Sequence, residues 1–259
     1  MKFKIFVISI IFYLPISALD LNLDKSAIHN ATSGTALIYD SPSAASINPA
    51  LCNPGIETAA TYILGLKELP YYNLHSAYQI RSFGLYLGDY YIDHEFYKEN
   101  NLNLTFNYHL SNLSCGLAIR YLSNKVENYH NDSSLLFDAG LVWKIDDVSS
   151  SITVRNITQS RFIEEKLPTV YLFESCYQVT DKSRIAAGLE KEDGFDFCFK
   201  LAARYDIIKL MSILSSYQFN PDRIGVGMVF NVSKVKIAYS VRTHQYLDLT
   251  HYISIGYVY

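Results

Sequence analysis

From about residue 57 to residue 259, apolar and polar positions alternate with a period of two. In "NLNLTFNYHLS", Leu102, Leu104, Phe106, Tyr108 and Leu110 fall on one face and Asn103, Thr105, Asn107, His109 and Ser111 on the other, as successive side chains of a β-strand do. "FDFCFKLAAR" sets Phe195, Phe197, Phe199, Leu201 and Ala203 against Asp196, Cys198, Lys200, Ala202 and Arg204. "KVKIAYSVR" sets Val235, Ile237, Tyr239 and Val241 against Lys236, Ala238, Ser240 and Arg242. Two-faced strands suit a soluble sandwich as well as a membrane barrel, so alternation alone leaves both open.

Length and connection favour the barrel. The pattern predicts about fourteen segments, near 56–66, 72–81, 82–91, 101–111, 113–122, 134–145, 148–158, 169–180, 182–190, 194–205, 209–219, 222–231, 233–242 and 250–259. Most have about nine to twelve residues, enough for a tilted strand to cross a bilayer, whereas a typical soluble strand has about five or six. Tight connections ("IRS", "SN", "DDVS", "TDKS", "YDIIK", "NVSK") alternate with mostly longer ones ("DYYIDHEFYKENN", "SNKVENYHNDSS", "QSRFIEEKLP", "RTHQYLDLT"). That is the arrangement of an outer-membrane barrel, with short periplasmic turns at one end and longer extracellular loops at the other. The expected fold is therefore all-β: a transmembrane antiparallel barrel of about 14 strands over residues 56–259. Asn103, Asn107, His109, Lys200, Arg204 and Lys236 become lumen-facing polar positions. The last segment, "HYISIGYVY", places Ile253, Ile255, Tyr257 and Tyr259 on one face and stops on an aromatic. The last strand of a closed barrel must pair with the first, so that no edge is left unsatisfied in lipid. Tyr257 and Tyr259 look like the C-terminal signature that the bacterial barrel-assembly machinery reads.

The other end reads differently. "MKFKIFVISIIFYLPISALDLN" has two lysines, an apolar run from Ile5 to Leu14, a break at Pro15 and a small-residue site ending at Ala18. This pattern predicts a secretory signal over residues 1–18. Its apolar run is about half of the ~20 residues a spanning helix needs, and no later run reaches that length. Residues 19–55 do not alternate. "SGTALIYDSPSAASINPALCNPG" is small and turn-rich, with breaks at Asn48-Pro49 and Asn53-Pro54. Preceding the first strand, it can enter the lumen from below.

Composition narrows the function classes. The 22 tyrosines and 14 phenylalanines are what strands meeting a lipid interface are built from. Without Lys2 and Lys4, twenty bases face 25 acids, a net charge of −5, which argues against nucleic acid as a partner. Cys52, Cys115, Cys176 and Cys198 lack metal-type spacing and could pair or stay free. His75 and His109 lie on polar faces and His94 adjoins Glu95, without a nucleophile or metal motif beside them, so neither catalysis nor a cofactor is expected. The acids of "FIEEKLP" and "LEKEDG" read as solvated loop charges. Asn30, Asn103, Asn112, Asn131, Asn156 and Asn231 each begin an N-x-Ser/Thr triplet, which keeps a secreted β-sandwich glycoprotein as a rival, although four of the six fall in or at tight ends of predicted strands.

The segment carrying Asp40 and Asn48-Pro49-Ala50 resembles the opening of the PorV/PorQ family, relatives of the FadL fatty-acid-transporter barrel. The resemblance extends through "SLLFDAGLVWKI", "SITVRNITQ", "KLPTVYLFESCYQV", "AAGLEKEDGFDFCFKLAARYD", "RIGVGMVF" and "LTHYISIGYVY". Leu51-Cys52 stand where that family tends to have glycine, and "HQYLDLTH" lacks a glycine as well. The resemblance implies a fourteen-stranded barrel with residues 19–55 as plug or hatch. It also favours an accessory role in type IX-like secretion, with a translocon and its cargo as partners, over the alternative of FadL-like uptake of hydrophobic small molecules.

Overall fold

The computed structural model describes residues 26–62, 70–127, 131–162, 165–244 and 249–259. The expected signal and residues 19–25 lie outside them. After a short helix α1 (Ala27–Ala31) and two 3-10 turns, Ala36–Ile38 and Pro42–Ser46, come β1 (Gly55–Tyr62), β2 (Pro70–Ile80), β3 (Phe83–His94), β4 (Tyr97–Leu110), β5 (Leu113–Val126), β6 (Asp132–Ile145) and β7 (Val148–Arg155). A small hairpin, β8 (Arg161–Phe162) with β9 (Glu165–Lys166), precedes β10 (Val170–Thr180), β11 (Ser183–Glu192), β12 (Cys198–Ile208), β13 (Met211–Phe219), β14 (Arg223–Val232), β15 (Val235–Arg242) and β16 (Thr250–Val258).

All strands but the β8–β9 pair join one closed barrel of fourteen antiparallel strands, each beside its neighbour in sequence. β16 closes it on β1 in a register running from Gly55 opposite Val258 to Tyr62 opposite His251. The expected all-β transmembrane barrel is thus the fold, and its strand number is the expected one. Closure leaves no row of unpaired N–H and C=O groups to face lipid.

The period-two pattern becomes an inside and an outside. Phe199 is 53% exposed on the outer surface, and its neighbour Lys200 is 7% exposed within. Leu85, Leu87, Leu104, Phe106, Leu117, Leu201, Val226 and Ile237 continue the outer apolar surface, far more than a water-facing protein leaves bare. Outward aromatics mark both of its edges, Tyr78, Phe83, Tyr177, Tyr205 and Tyr257 at the short-turn end and Tyr72, Tyr171 and Phe219 at the other, as at the two interfaces of a membrane. Tyr259 lies edge-on to Tyr78 and Tyr257, with centroids 6.4 Å and 6.1 Å apart.

Some expected boundaries shift. "DYYIDHEFYKENN" and "SNKVENYHNDSS", expected as loops, are mostly strand: β3 and β4 continue to a connection at residues 95–96, and β5 runs to Val126. Their polar content misled because these strands extend past the apolar band, where outward residues meet water, as in the exposed Lys98–Asp93 pair at 2.7 Å. β7 stops at Arg155 rather than near residue 158, because Asn156 turns the chain at φ 51°. Inside "QSRFIEEKLP" lies the unexpected β8–β9 hairpin. All four cysteines are free.

Candidate functional site: the barrel interior

Residues 26–54 are nearly all buried, and what buries them is the inner wall. Ser26 caps α1, accepting from His29 N at 3.3 Å. Ala27, Ile28, Ala31, Ala36, Ile38, Tyr39, Ala44 and Ile47 then pack against inward-facing Leu172, Cys176, Ala186, Ala202, Leu214, Val229 and Ala238. Polar contacts fix the register of this segment. Ala36 N donates to both carboxylate oxygens of Glu174 at 3.0 and 3.2 Å, Arg155 Nη2 donates to Ile47 O at 3.2 Å, and Ser33 and Ser216 share a hydrogen bond of 2.8 Å. Each satisfies a backbone or side-chain group that the lumen would otherwise leave buried and unpaired. Burial, then the carboxylates of Glu57 and Glu174, push the Tyr39 phenol well above its ordinary pKa, which keeps it neutral.

The expected plug motif divides into two contacts. Asn48 Oδ1 accepts from Ala50 N at 2.9 Å, folding Asn48-Pro49-Ala50 into a turn, and Asn107 Nδ2 donates to Leu51 O at 3.2 Å. This turn lies on two wall glycines. A Cβ on Gly116 would come within 2.0 Å of Pro49 O, and one on Gly140 within 2.0 Å of Asn48 Oδ1. Sequence reasoning did not single these glycines out. The signal was present, since a lone glycine at an inward strand position marks close backbone approach. Asp40 makes the second contact at the short-turn end, where it is 57% exposed and lies 3.2 Å from Arg184 and 3.5 Å from Arg204. Its main-chain oxygen accepts from Lys236 Nζ at 2.6 Å. Near it, Ser41 hydrogen-bonds Glu57, and a cavity of about 10 Å³ beside Glu57, Lys236 and Ser254 has room for about one water.

The structure disperses the other expected lumen positions. Lys200 pairs with Glu190 at 2.7 Å and Arg204 with Asp206 at 2.9 Å. Asn103 is buried and accepts from Thr105 Oγ1 at 3.0 Å, while His109 Nδ1 meets Ser114 Oγ at 2.6 Å near the short turns. His75 Nδ1 meets Tyr86 Oη at 2.7 Å. Toward the opposite end Arg120 and Asp138, 0% and 2% exposed, pair at 2.7 Å, and Asp138 also accepts from Asn156 N at 2.8 Å. Above them Phe162 and Leu167, from the connection after β7, pack on inward-facing Leu122 and Leu136. Burial of Asn30, Asn103 and Asn156 removes three of the six N-x-Ser/Thr acceptors from the surface. Among the described residues no three His, Cys, Asp or Glu side chains are grouped to hold a metal.

This closed barrel has counterparts among solved structures. Superposition on the CymD monoaromatic hydrocarbon channel gives a TM-score of 0.69 at 10% identity, over 92% of this chain and 98% of that one. The fold is that of the FadL-like outer-membrane channels. The Pseudomonas putida toluene transporter TodX is similar with a TM-score of 0.65 at 10% identity, over 90% of this chain and 96% of its own. A Pseudomonas aeruginosa FadL homologue gives 0.62 at 12% identity, over 90% and 98%. No family model and no curated protein matches the sequence, so the similarity to FadL-like barrels is one of fold.

Proposed function

We propose that the protein is a non-enzymatic outer-membrane channel for hydrophobic small molecules, exported by the signal at residues 1–18 and occluded by residues 19–55 acting as a plug. The carrying observation is the fourteen-strand barrel with residues 26–54 packed on its inner wall, a fold shared over nearly its whole length with hydrocarbon channels. The chemistry agrees with that reading. An apolar solute gains little from a wet lumen, and Leu122, Leu136, Phe162 and Leu167, packed against one another at the end away from the short turns, would give it apolar contact on parting. Passage then has to displace or skirt residues 26–54, whose bonds to Glu174, Arg155 and Asn107 are polar and replaceable by water. Membrane lipid, on the outer face, and the barrel-assembly machinery, reading Tyr257 and Tyr259, complete the partners.

Uptake of labelled toluene by cells producing the barrel, against cells without it, tests the transport reading. Faster uptake supports it, and equal uptake overturns it. Deleting residues 26–54 tests the plug: conductance in planar bilayers should rise while the barrel still forms. The secretion role implied by the PorV/PorQ resemblance gains nothing from the fold comparisons. Recovery of a large translocon or secreted proteins with the barrel in gentle detergent would restore it.

A further inference from the structure

The strand register sets two like charges face to face at the short-turn end: Arg184 of β11 lies directly opposite Arg204 of β12. Such a cross-strand pair repels, yet each guanidinium is fixed in place. Arg184 Nε donates to Gln178 Oε1 at 2.6 Å, Arg204 Nε donates to Asp206 Oδ1 at 2.9 Å, and Asp206 accepts in turn from Ser212 Oγ at 2.6 Å. The outer nitrogens of both arginines converge on one anion. Asp40 Oδ2 lies 3.2 Å from Arg184 Nη1 and 3.5 Å from Arg204 Nη1, and the main-chain oxygen of the same residue accepts from Lys236 Nζ at 2.6 Å. The wall thus builds a site for an aspartyl residue of a peptide chain, carboxylate and carbonyl together, and the segment of residues 26–54 supplies its occupant.

That occupant is loosely held. Asp40 is exposed, and an ion pair open to water contributes little. Arg184, Arg204 and Lys236 stand on the inward rows of Ala186, Ala202 and Ala238, so the site opens on the mouth of the lumen and is turned away from the lipid headgroups around the barrel. Beside it Lys182 and Lys209, in the turns after β10 and β12, are exposed. Residues 181–184, 204–210 and 233–236 together carry six cations and two acids on a chain whose net charge is −3. Glu57, deeper in the lumen, is hydrogen-bonded to Ser41. A segment with several acids meets the two arginines and the turn lysines at once, contacts that Asp40 alone cannot make, and gains from their number. From the turn after β10 to the turn after β14 the rim crosses four strand spacings, about 20 Å, which ~6 extended residues span.

We propose that the short-turn end of the barrel is a docking surface for an extended acidic segment of a soluble periplasmic protein, one of whose aspartates takes the place of Asp40 between Arg184 and Arg204. The periplasmic side follows from the outer-membrane reading, which puts the short turns there. Docking also removes one of the contacts that hold residues 26–54 in the lumen, since Asp40 belongs to them. The surface is a property of the wall and is independent of the solute the channel carries.

The probe is a fluorescent peptide alternating aspartate with serine over about eight residues, long enough to cross the rim, with a control in which asparagine replaces aspartate. Binding to the barrel in phosphatidylcholine nanodiscs, residues 26–54 in place, is read by fluorescence anisotropy against empty nanodiscs. The aspartate peptide should bind at least about tenfold more tightly than its control. Asp40→Asn, which vacates the site without touching the wall, should tighten binding about threefold to fivefold. Asp147→Asn, an equal change of net charge on another short turn, should leave it as it was. Arg184→Gln with Arg204→Gln should abolish binding, and Asp40→Asn keeps the test open should that double variant fail to assemble. Equal binding of the two peptides, equal tightening by Asp147→Asn and Asp40→Asn, or displacement of the peptide by an equal concentration of inorganic phosphate overturns the proposal. Its failure leaves the channel reading standing, because toluene uptake tests that separately.

Discussion

The two arcs of the barrel have the same outside and opposite insides. Along β2–β6 the wall supplies its own bulk: His75, Tyr86, Tyr90, Arg120, Leu122 and Leu136 are buried large side chains projecting inward. Along β11–β15 many inward positions are small, with Ala186, Gly188, Ala202, Ser216, Gly225, Gly227 and Ala238, and the space over them is taken by α1 and the segment that follows it. Interior space is filled to close packing whichever chain segment supplies the atoms. Strand length follows the same division. β4, β5 and β6 have 14 residues each, and β15 has 8. One arc thus fills much of its own interior, meeting residues 45–52 at Ala77, Tyr86, Asn107, Gly116 and Gly140, and the other is one half of a wall-and-segment interface.

Breaking the arc that fills itself should have the largest effect. Asp138→Leu takes the paired carboxylate from a fully buried Arg120 and should cost about 3–5 kcal/mol, most of it regained in the Arg120→Met/Asp138→Leu double variant. Thermal unfolding followed by heat-modifiable gel migration reads both. Equal small losses in the single and double variants would mean that the pair is solvated. Next come the outer faces, which should not distinguish the arcs: Leu104→Arg and Leu201→Arg should each cost about 2–4 kcal/mol if near mid-bilayer. Tolerance of either would show that face to be out of lipid.

The interface arc should respond to overpacking. Ala238→Leu, pushing against α1, should cost about 1–3 kcal/mol in the full chain and much less once residues 26–54 are deleted. A cost that persists after deletion would place the strain in the wall. The smallest effect belongs to Asp40, whose ion pairs are open to solvent. Asp40→Asn should change stability by no more than about 1 kcal/mol, and less at high salt. A large, salt-insensitive loss would make Asp40 a structural anchor.

Much of this architecture was legible because lipid and lumen impose the period of two directly on each strand. The facing of Phe199 against Lys200 needs no knowledge of any other strand. Loops were harder. Residues 89–101 read as a loop because Asp, Glu, Asn and Lys crowd there, yet β3 and β4 stay paired almost to the hairpin tip, where water replaces lipid and polarity ceases to report strand ends. The interior site was legible only in part. Asn103 could be placed on the lumen face, but its unpaired Nδ2 depends on what Thr105 and the neighbouring strands leave over.

Asp40, Asn48 and Pro49 could be singled out in the sequence, but their destinations could not. Asp40 meets Arg184 and Arg204 across 144 and more residues of chain, and the Asn48-Pro49 turn rests on Gly116 and Gly140 from strands laid down far later. The sequence by itself determined the barrel strands, their two faces and their number, because within the apolar band each is a local pattern answering to lipid on one face and the lumen on the other. The tertiary structure alone decided which arc fills itself, which accepts residues 26–54, and where polar atoms are left unpaired. Those outcomes depend on the space remaining after fourteen strands close on one another, and no single strand encodes that space.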